Sequence, residues 1–390
     1  MSGDFGQSTP TSDESMLDAD GKPMGQQQAA EPEAPPPAKL FLEIVDGDIA
    51  ERPAFWFLRQ AGRYMEEYRT LRAKAGGFLD MVTNPAYASE VTLQPVRRFH
   101  PDAAILFSDI LMVPYALQQK LEFVDGSGPK LDPIREFNDM GKLNPKLIVE
   151  RLAHATEAAK LAKKGLPDDV ALIGFAGAPW TVATYMVEGG GSKDFAMAKK
   201  WAYRDPRGFN GLLTVIIETT VEFLSAQIKG GAEAVMIFDS HAGVLPPVLY
   251  DTLVVRPTQR LVKLLKAKHP KIPIIGYPRG VGENYQHYAK VTGINAIHID
   301  EKVTPQYAYD HLSMLMPVQG NIDPAAVLAG GDSLKKAAET IMLRMCDRPF
   351  ILNVGHGLHK STPVRHVEYV ADLCRRFSNL AAAAEMMAMD

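Results

Sequence analysis

The pattern that most restricts the fold of this chain is a repeated exchange between two periods. Eight short apolar or β-branched runs, each bounded by turn residues, recur along it: Ala54 to Leu58, Ala103 to Phe107, Val170 to Phe175, Ala234 to Phe238, Ile272 to Tyr277, Ile294 to Ile299, Leu315 to Gln319 and Phe350 to Val354. Longer stretches with helical spacing separate them, among them Ala88 to Phe99, Pro145 to Lys164, Pro206 to Lys229, Leu249 to His269, Pro305 to Ser313 and Ser333 to Met345. Without hairpin dipeptides between the runs, this alternation predicts a parallel sheet with crossover helices. Eight such units predict an α/β fold that is a single (β/α)₈ barrel of the TIM type. The spacing is long before Val170 and short between Ile294 and Leu315, so the barrel is expected to be irregular. An open dinucleotide-binding sheet would place Gly-x-Gly-x-x-Gly after its first strand; the residues there are Arg59-Gln60-Ala61-Gly62-Arg63, and that fold is set aside.

Composition sets the limits around this core. With 390 residues, 46% hydrophobic and 23% charged, the chain has material for a large buried interior. Residues 1–38 differ from the rest, being rich in Pro, Gln, Ser and Gly, and are expected to form a disordered acidic extension. They carry seven acids against Lys22 alone, a net of −6, which leaves +2 for the remainder of a chain whose formal total is −4. An organelle transit peptide would be basic, and a nearly neutral body gives no reason to expect nucleic acid as a partner. The barrel is assigned to residues 39–380 and an Ala/Met-rich tail to 381–390. No run approaches the roughly 20 apolar residues that span a bilayer, and nothing near Met1 pairs a basic start with an apolar stretch, so a soluble, cytoplasmic protein without a membrane partner is expected. Cys346 and Cys374 both lie in helix-like stretches and read as buried thiols.

Catalytic side chains of a barrel gather just past the C-terminal ends of its strands. What stands there is polar: Arg59 and Arg63 after the first run, Ser108-Asp109 after the second, and Tyr185 with Glu188-Gly189-Gly190-Gly191 after the third. Asp239-Ser240-His241, Pro278-Arg279-Gly280, Asp300, Gly320-Asn321 and Gly355-His356-Gly357 follow the remaining five. Arg59 and Arg63 are four apart, so a helix starting there would turn both guanidinium groups toward one anionic ligand, and Gly62 lets that ligand approach the backbone. Asp109 has no base beside it in sequence; it either serves a ligand or caps the next helix, although Ile110 to Pro114 is short and apolar for a first turn. His356, between two glycines, should present an exposed ring of the kind used for acid-base or hydrogen-bonding work. His356-x-x-His359 has no Cys nearby and no Glu between its histidines, which argues against a metal site. Tyr185 and Ser240 are each ambiguous alone, since a Tyr often packs and a Ser often ends a strand.

Several long motifs in order carry a specific resemblance. Trp56-Phe57-Leu58-Arg59-Gln60-Ala61-Gly62-Arg63-Tyr64, Leu106-Phe107-Ser108-Asp109-Ile110-Leu111, Gly174 to Thr181, Tyr185 to Ser192, Gln319 to Pro324 and Asn353-Val354-Gly355-His356-Gly357 make the chain, from about Leu40 to Ser378, resemble the uroporphyrinogen decarboxylase family. The resemblance implies a (β/α)₈ barrel, a homodimer with facing clefts, and no metal or organic cofactor. It implies removal of carbon dioxide from the four acetate arms of uroporphyrinogen III, giving coproporphyrinogen III for haem and related tetrapyrroles. It places Arg59, Gln60, Ala61, Gly62 and Arg63 on the substrate with the two arginines at its carboxylates, Asp109 on the pyrrole nitrogens, and Tyr185, Ser240 and His356 around them. Asp109 and Arg59 are the expected catalytic residues. After the sixth run the family often has Leu-Asp-Trp, where this chain has Ile299-Asp300-Glu301. Zinc-dependent corrinoid methyltransferases share the barrel but need Cys and His ligands, and no His-x-Cys pair exists here.

Overall fold

A computed structural model of the chain describes residues 37–124 and 128–387. The extension expected over residues 1–38 therefore lies outside the described residues, apart from Pro37 and Ala38. Ten strands are present: β1 Ala54–Phe55, β2 Ala103–Ile105, β3 Leu121–Val124, β4 Gly128–Leu131, β5 Ala171–Gly177, β6 Ala234–Asp239, β7 Ile274–Pro278, β8 Ala296–His298, β9 Val318–Ile322 and β10 Phe350–Val354. All except β3 and β4 form one parallel sheet in the order β1-β10-β9-β8-β7-β6-β5-β2, so every apolar run expected to be a strand contributes one.

The order leaves β1 and β2 at the two ends of the ladder, and Asp102 closes the seam between them. Its N–H donates to the Phe55 carbonyl at 3.0 Å, and its Oδ2 accepts the Phe55 N–H at 2.8 Å. Arg52 grips both carboxylate oxygens, at 2.9 and 2.7 Å. Such a bidentate contact fixes orientation as well as charge. The result is a nearly closed eight-stranded barrel, with helices such as Pro85–Phe99, Ala153–Gly165, Pro206–Lys229 and Arg256–Lys268 packed around it. A chain of buried polar groups links its strands: Trp56 Nε1 donates to Gln319 Oε1 at 2.7 Å, and Gln319 Nε2 lies 2.8 Å from His298 Nδ1.

Three expectations are corrected. β3 and β4 pair antiparallel, with Leu121 opposite Leu131 and Val124 opposite Gly128, so the chain does contain a hairpin. The Asp125-Gly126 pair between those strands is a hairpin dipeptide in the sequence. Together with the short helices around it, this hairpin fills the long interval before β5. The helix expected over Leu249 to His269 is three pieces, Pro247–Tyr250, a π turn Asp251–Val255 and Arg256–Lys268. Pro257 lacks the N–H that a continuous α-helix would use, which accounts for a wider turn just before it. Helix Pro206–Lys229 does have the length and hydropathy to cross a bilayer, but 61% of its apolar window is buried and it packs on β5, β6 and six neighbouring α-helices. Asp205 caps it by accepting the Gly208 N–H at 2.9 Å, and Pro206 opens its first turn.

The chain end adds a smaller change. Helix Asn379–Met387 covers much of the expected Ala/Met-rich tail, anchored by the Asn379 N–H on the Glu51 carbonyl at 2.8 Å and by Asn379 Nδ2 on the Ala50 carbonyl at 2.9 Å. Cys346 and Cys374 are both buried, as expected.

Candidate active site

The residues singled out from sequence converge on the C-terminal mouth of the barrel, but they reach it in different ways. After β1 the backbone does not enter a helix. Residues 58–65 are turns and bends, Arg59 adopts a left-handed φ of 58°, and helix Glu66–Ala75 begins only later. The shared helical face proposed for Arg59 and Arg63 therefore does not exist, although both guanidinium charges still act on the Tyr68 phenol. This turn is lashed to β10: the Leu58 N–H donates to Asn353 Oδ1 at 2.9 Å, and the Leu358 N–H donates to the Leu58 carbonyl at 3.1 Å. Gly357 makes the aim of Arg59 possible, because a Cβ there would stand 2.5 Å from Arg59 Cδ. Ala61 and Gly62 are half-buried, and Arg63, like Arg59, is exposed. Gln60 is buried behind it, with its amide turned to the Ala103 carbonyl and the Phe57 N–H, both at 3.4 Å. Gln60 thus supports the turn instead of facing the opening.

Beyond β2, Asp109 is tied to the backbone just ahead of the next helix. Its Oδ1 accepts the Leu111 N–H at 2.8 Å, just before the five-residue helix Met112–Ala116, which the sequence seemed too apolar to begin. No described donor takes its other oxygen. Burial pushes the Asp109 carboxyl up to about 6, with the Leu111 bond and the charge of Arg59 pulling back only part of the way. Tyr185, on helix Pro179–Glu188, feels the same two charges: burial and then Asp109 raise its phenol, and Arg59 opposes them. Arg59, Asp109 and Tyr185 therefore form one electrostatic group.

The rest of the wall is built from the ends of β6, β7, β8 and β10. Ser240 is half-buried directly after Asp239. His241 is held by its N–H on Thr181 Oγ1 at 3.1 Å and by Nδ1 at 2.8 Å from Thr184 Oγ1, with its ring 5.2 Å from that of Tyr185. His356 is not the exposed imidazole expected from its glycine neighbours. Its ring is half-buried, and burial followed by the charges of Arg279 and Arg59 lowers it to about 4. The ring is neutral at pH 7 and suits hydrogen bonding better than charge pairing. His241 is likewise lowered to about 4, by burial and then Arg279. Asp300 is buried with both oxygens engaged: Oδ2 accepts the Gly280 N–H at 2.6 Å and the Tyr285 hydroxyl at 2.8 Å, and Oδ1 accepts the Lys302 N–H at 2.9 Å. His359 is exposed, and no group of three potential metal ligands occurs among the described residues.

With this geometry in view, relatives fix the lineage. The family model described as uroporphyrinogen decarboxylase (URO-D) matches residues 36–377. The chain belongs to the uroporphyrinogen decarboxylase family. It is 46% identical to the uroporphyrinogen decarboxylase of Erythrobacter litoralis over 87% of this chain and 98% of that protein. It is 44% identical to that of Rhodospirillum rubrum, over 86% and 97% respectively. A methyltransferase from Methanosarcina mazei superposes with a TM-score of 0.71 over 86% of this chain and 99% of that one at 17% identity, a likeness of fold alone. Glu301, the residue at which the sequence departs from the motif of the resemblance, directly follows Asp300. Its backbone N would stand 2.3 Å from a Cβ on Gly355, and its carboxylate meets Arg279 at 3.5 Å.

Sequence reasoning named Arg279 and His241 among the strand-end residues but gave neither a role. Both depend on neighbours far away in sequence. The Pro278-Arg279-Gly280 turn was the local signal, and the company that Arg279 keeps was visible only once the ends of β6, β7, β8 and β10 were brought to one mouth of the barrel.

Proposed function

We propose that this protein decarboxylates the four acetate arms of uroporphyrinogen III to methyl groups, yielding coproporphyrinogen III. The observation that carries the reading is the juxtaposition of a half-buried, under-bonded Asp109 with the Arg59 cation and Tyr185 at the mouth of a barrel of this family.

The chemistry needs a place for the electron pair released when the acetate C–C bond breaks. A pyrrole protonated on ring carbon is a cation and takes that pair itself, so the substrate supplies its own electron sink. Carbon dioxide leaves, the exocyclic methylene that remains takes up a proton as the ring releases one, and the net change for each arm is one carboxylate and one proton converted to one methyl and carbon dioxide. Asp109, fixed by Leu111 and with an oxygen to spare, accepts the inward pyrrole N–H groups and stabilises the positive ring as it forms. A preorganised charge of this kind has no reorganisation left to do when the barrier is crossed. Arg59 places carboxylate next to that charge, Arg63 gathers the outer arms from the exposed edge of the turn, Ala61 and Gly62 let them close on the backbone, and Gln60 holds the turn in place. Tyr185, Ser240 and the neutral His356 line the remaining wall as hydrogen-bonding groups.

We also propose a cytoplasmic protein, from its composition, and a homodimer whose clefts face each other, from the resemblance in its motifs. Sedimentation of the purified protein checks the dimer directly. The decisive test of function is incubation with enzymatically generated uroporphyrinogen III and separation of the oxidised porphyrins. The expected result is a falling series of carboxylate counts ending at coproporphyrin, unchanged after exhaustive treatment with chelator. Activity abolished by metal removal would contradict the mechanism.

A further inference from the structure

We propose that Arg279 is a substrate-carboxylate anchor, standing across the barrel mouth from Arg59 and held in readiness between substrates by Glu301. The inference rests on the functional reading above and extends it to a residue that neither the motifs nor the Asp109 cluster assigns.

The sheet order fixes the placement. Counting around β1-β10-β9-β8-β7-β6-β5-β2, the strand that delivers Arg279 lies diametrically opposite the strand that delivers Arg59. A macrocycle with carboxylate arms around its whole rim needs cations on opposite sides, and one arginine turn can serve only one of them. Both arginines nevertheless act on the same ring, since each helps to lower His356, and Arg279 also lowers His241. The guanidinium of Arg279 therefore stands within electrostatic reach of two walls of the site.

Its backbone is unusually well fixed for a loop residue. The Arg279 N–H donates to the Asp239 carbonyl at 3.1 Å, its own carbonyl accepts the Gly243 N–H at 3.0 Å, and the next N–H, of Gly280, donates to Asp300 at 2.6 Å. Gly243 allows this stitching, since a Cβ there would stand 2.4 Å from the Gly280 carbonyl oxygen. The side chain is held more loosely. Its Nη2 is 3.5 Å from Glu301 Oε1, the long end of a hydrogen bond, and Glu301 Oε2 is buried with no hydrogen-bond partner. A guanidinium with five donors is thus parked between the Tyr277 hydroxyl and a single, imperfectly placed carboxylate. A substrate carboxylate offers both oxygens to the fork and replaces that contact with a bidentate one.

The test is the kinetics of Arg279→Gln, Arg279→Lys and Glu301→Gln with uroporphyrinogen III, each variant first checked for folding by circular dichroism. Arg279→Gln is expected to raise KM at least about tenfold while kcat stays within about threefold, the signature of lost uniform binding. Arg279→Lys keeps the charge without the fork and should fall between. Glu301→Gln releases the arginine, so its KM should fall or hold level. An unchanged KM in Arg279→Gln would overturn the proposal, as would a Glu301→Gln variant whose KM rises in step, which would make the pair a structural brace. Anaerobic calorimetric titration with coproporphyrinogen III separates this inference from the functional one. Weaker affinity in Arg279→Gln sustains the anchor even if the wild type fails to decarboxylate, and equal affinity overturns it.

Discussion

Asp109 and Asp300 stand at comparable places, just past the ends of β2 and β8 at the same mouth of the barrel, and both have an arginine in the vicinity. Their surroundings could hardly differ more. Asp300 takes three hydrogen bonds, from Gly280, Tyr285 and Lys302, and spends its charge holding three segments together. Asp109 takes one, from Leu111, and burial raises it to about 6. A carboxylate whose bonds are complete has nothing to offer a ligand. One kept short of partners in a partly dry site is costly to ionise, and that cost is recovered when a cation arrives.

The contrast can be broken most sharply by removing each charge. Asp109→Asn keeps an oxygen for Leu111 and is expected to fold, yet to lose at least about 10²-fold in kcat, the scale of one preorganised electrostatic group. Steady-state assay of uroporphyrinogen consumption checks this, and near-normal turnover would reduce Asp109 to a cap. Asp300→Asn should do the reverse. Its new amide would face the Gly280 N–H, and the loss should cost about 2–4 kcal/mol of stability by denaturant unfolding, with a smaller effect on the kcat of the folded fraction. Retained stability with lost turnover would mean the two acids have been assigned the wrong way round.

Charge elsewhere at the mouth sharpens the same picture with smaller effects. Arg63→Ala should raise KM more for the eight-carboxylate substrate than for its later, less charged intermediates, and equal effects would argue against a carboxylate grip. The ionised form of Asp109 is the working one, so kcat/KM of the wild type should decline as pH falls through about 6. Replacing Arg279 with Gln should let the His356 imidazole titrate above its present value of about 4, by NMR, because one of the cations that lowers it is gone.

Much of this was legible in the sequence, for reasons that differ by element. Ala234 to Phe238 and Phe350 to Val354 read as strands because a parallel strand covered on both faces is apolar throughout. The hairpin of β3 and β4 was missed because Glu122, Pro129 and Lys130 dilute its apolar pattern, and the Asp125-Gly126 signal is only two residues long. Asp109 and His356 could be placed at strand ends from their flanking motifs, but not their protonation, which depends on burial and on Arg59 and Arg279. The four-residue spacing of Arg59 and Arg63 suggested a helix; the left-handed backbone at Arg59 and the tie from Leu58 to Asn353 set the turn instead. Arg279 and His241 carry no sequence signal of partnership because their neighbours come from other strands.

The central claim is that Asp109 is held as a costly anion for the sake of the reaction. Its folded pKa lies above the unfolded value of 3.8, so its stabilising effect is fully present only below about pH 4 and is lost as pH rises through about 6. At pH 8, Asp109→Asn should therefore unfold at higher denaturant, by on the order of 1–2 kcal/mol, while its turnover collapses. Measuring unfolding free energy and kcat on the same preparation at that pH tests the claim most directly. Opposite signs are expected; a variant that loses stability and activity together would contradict it.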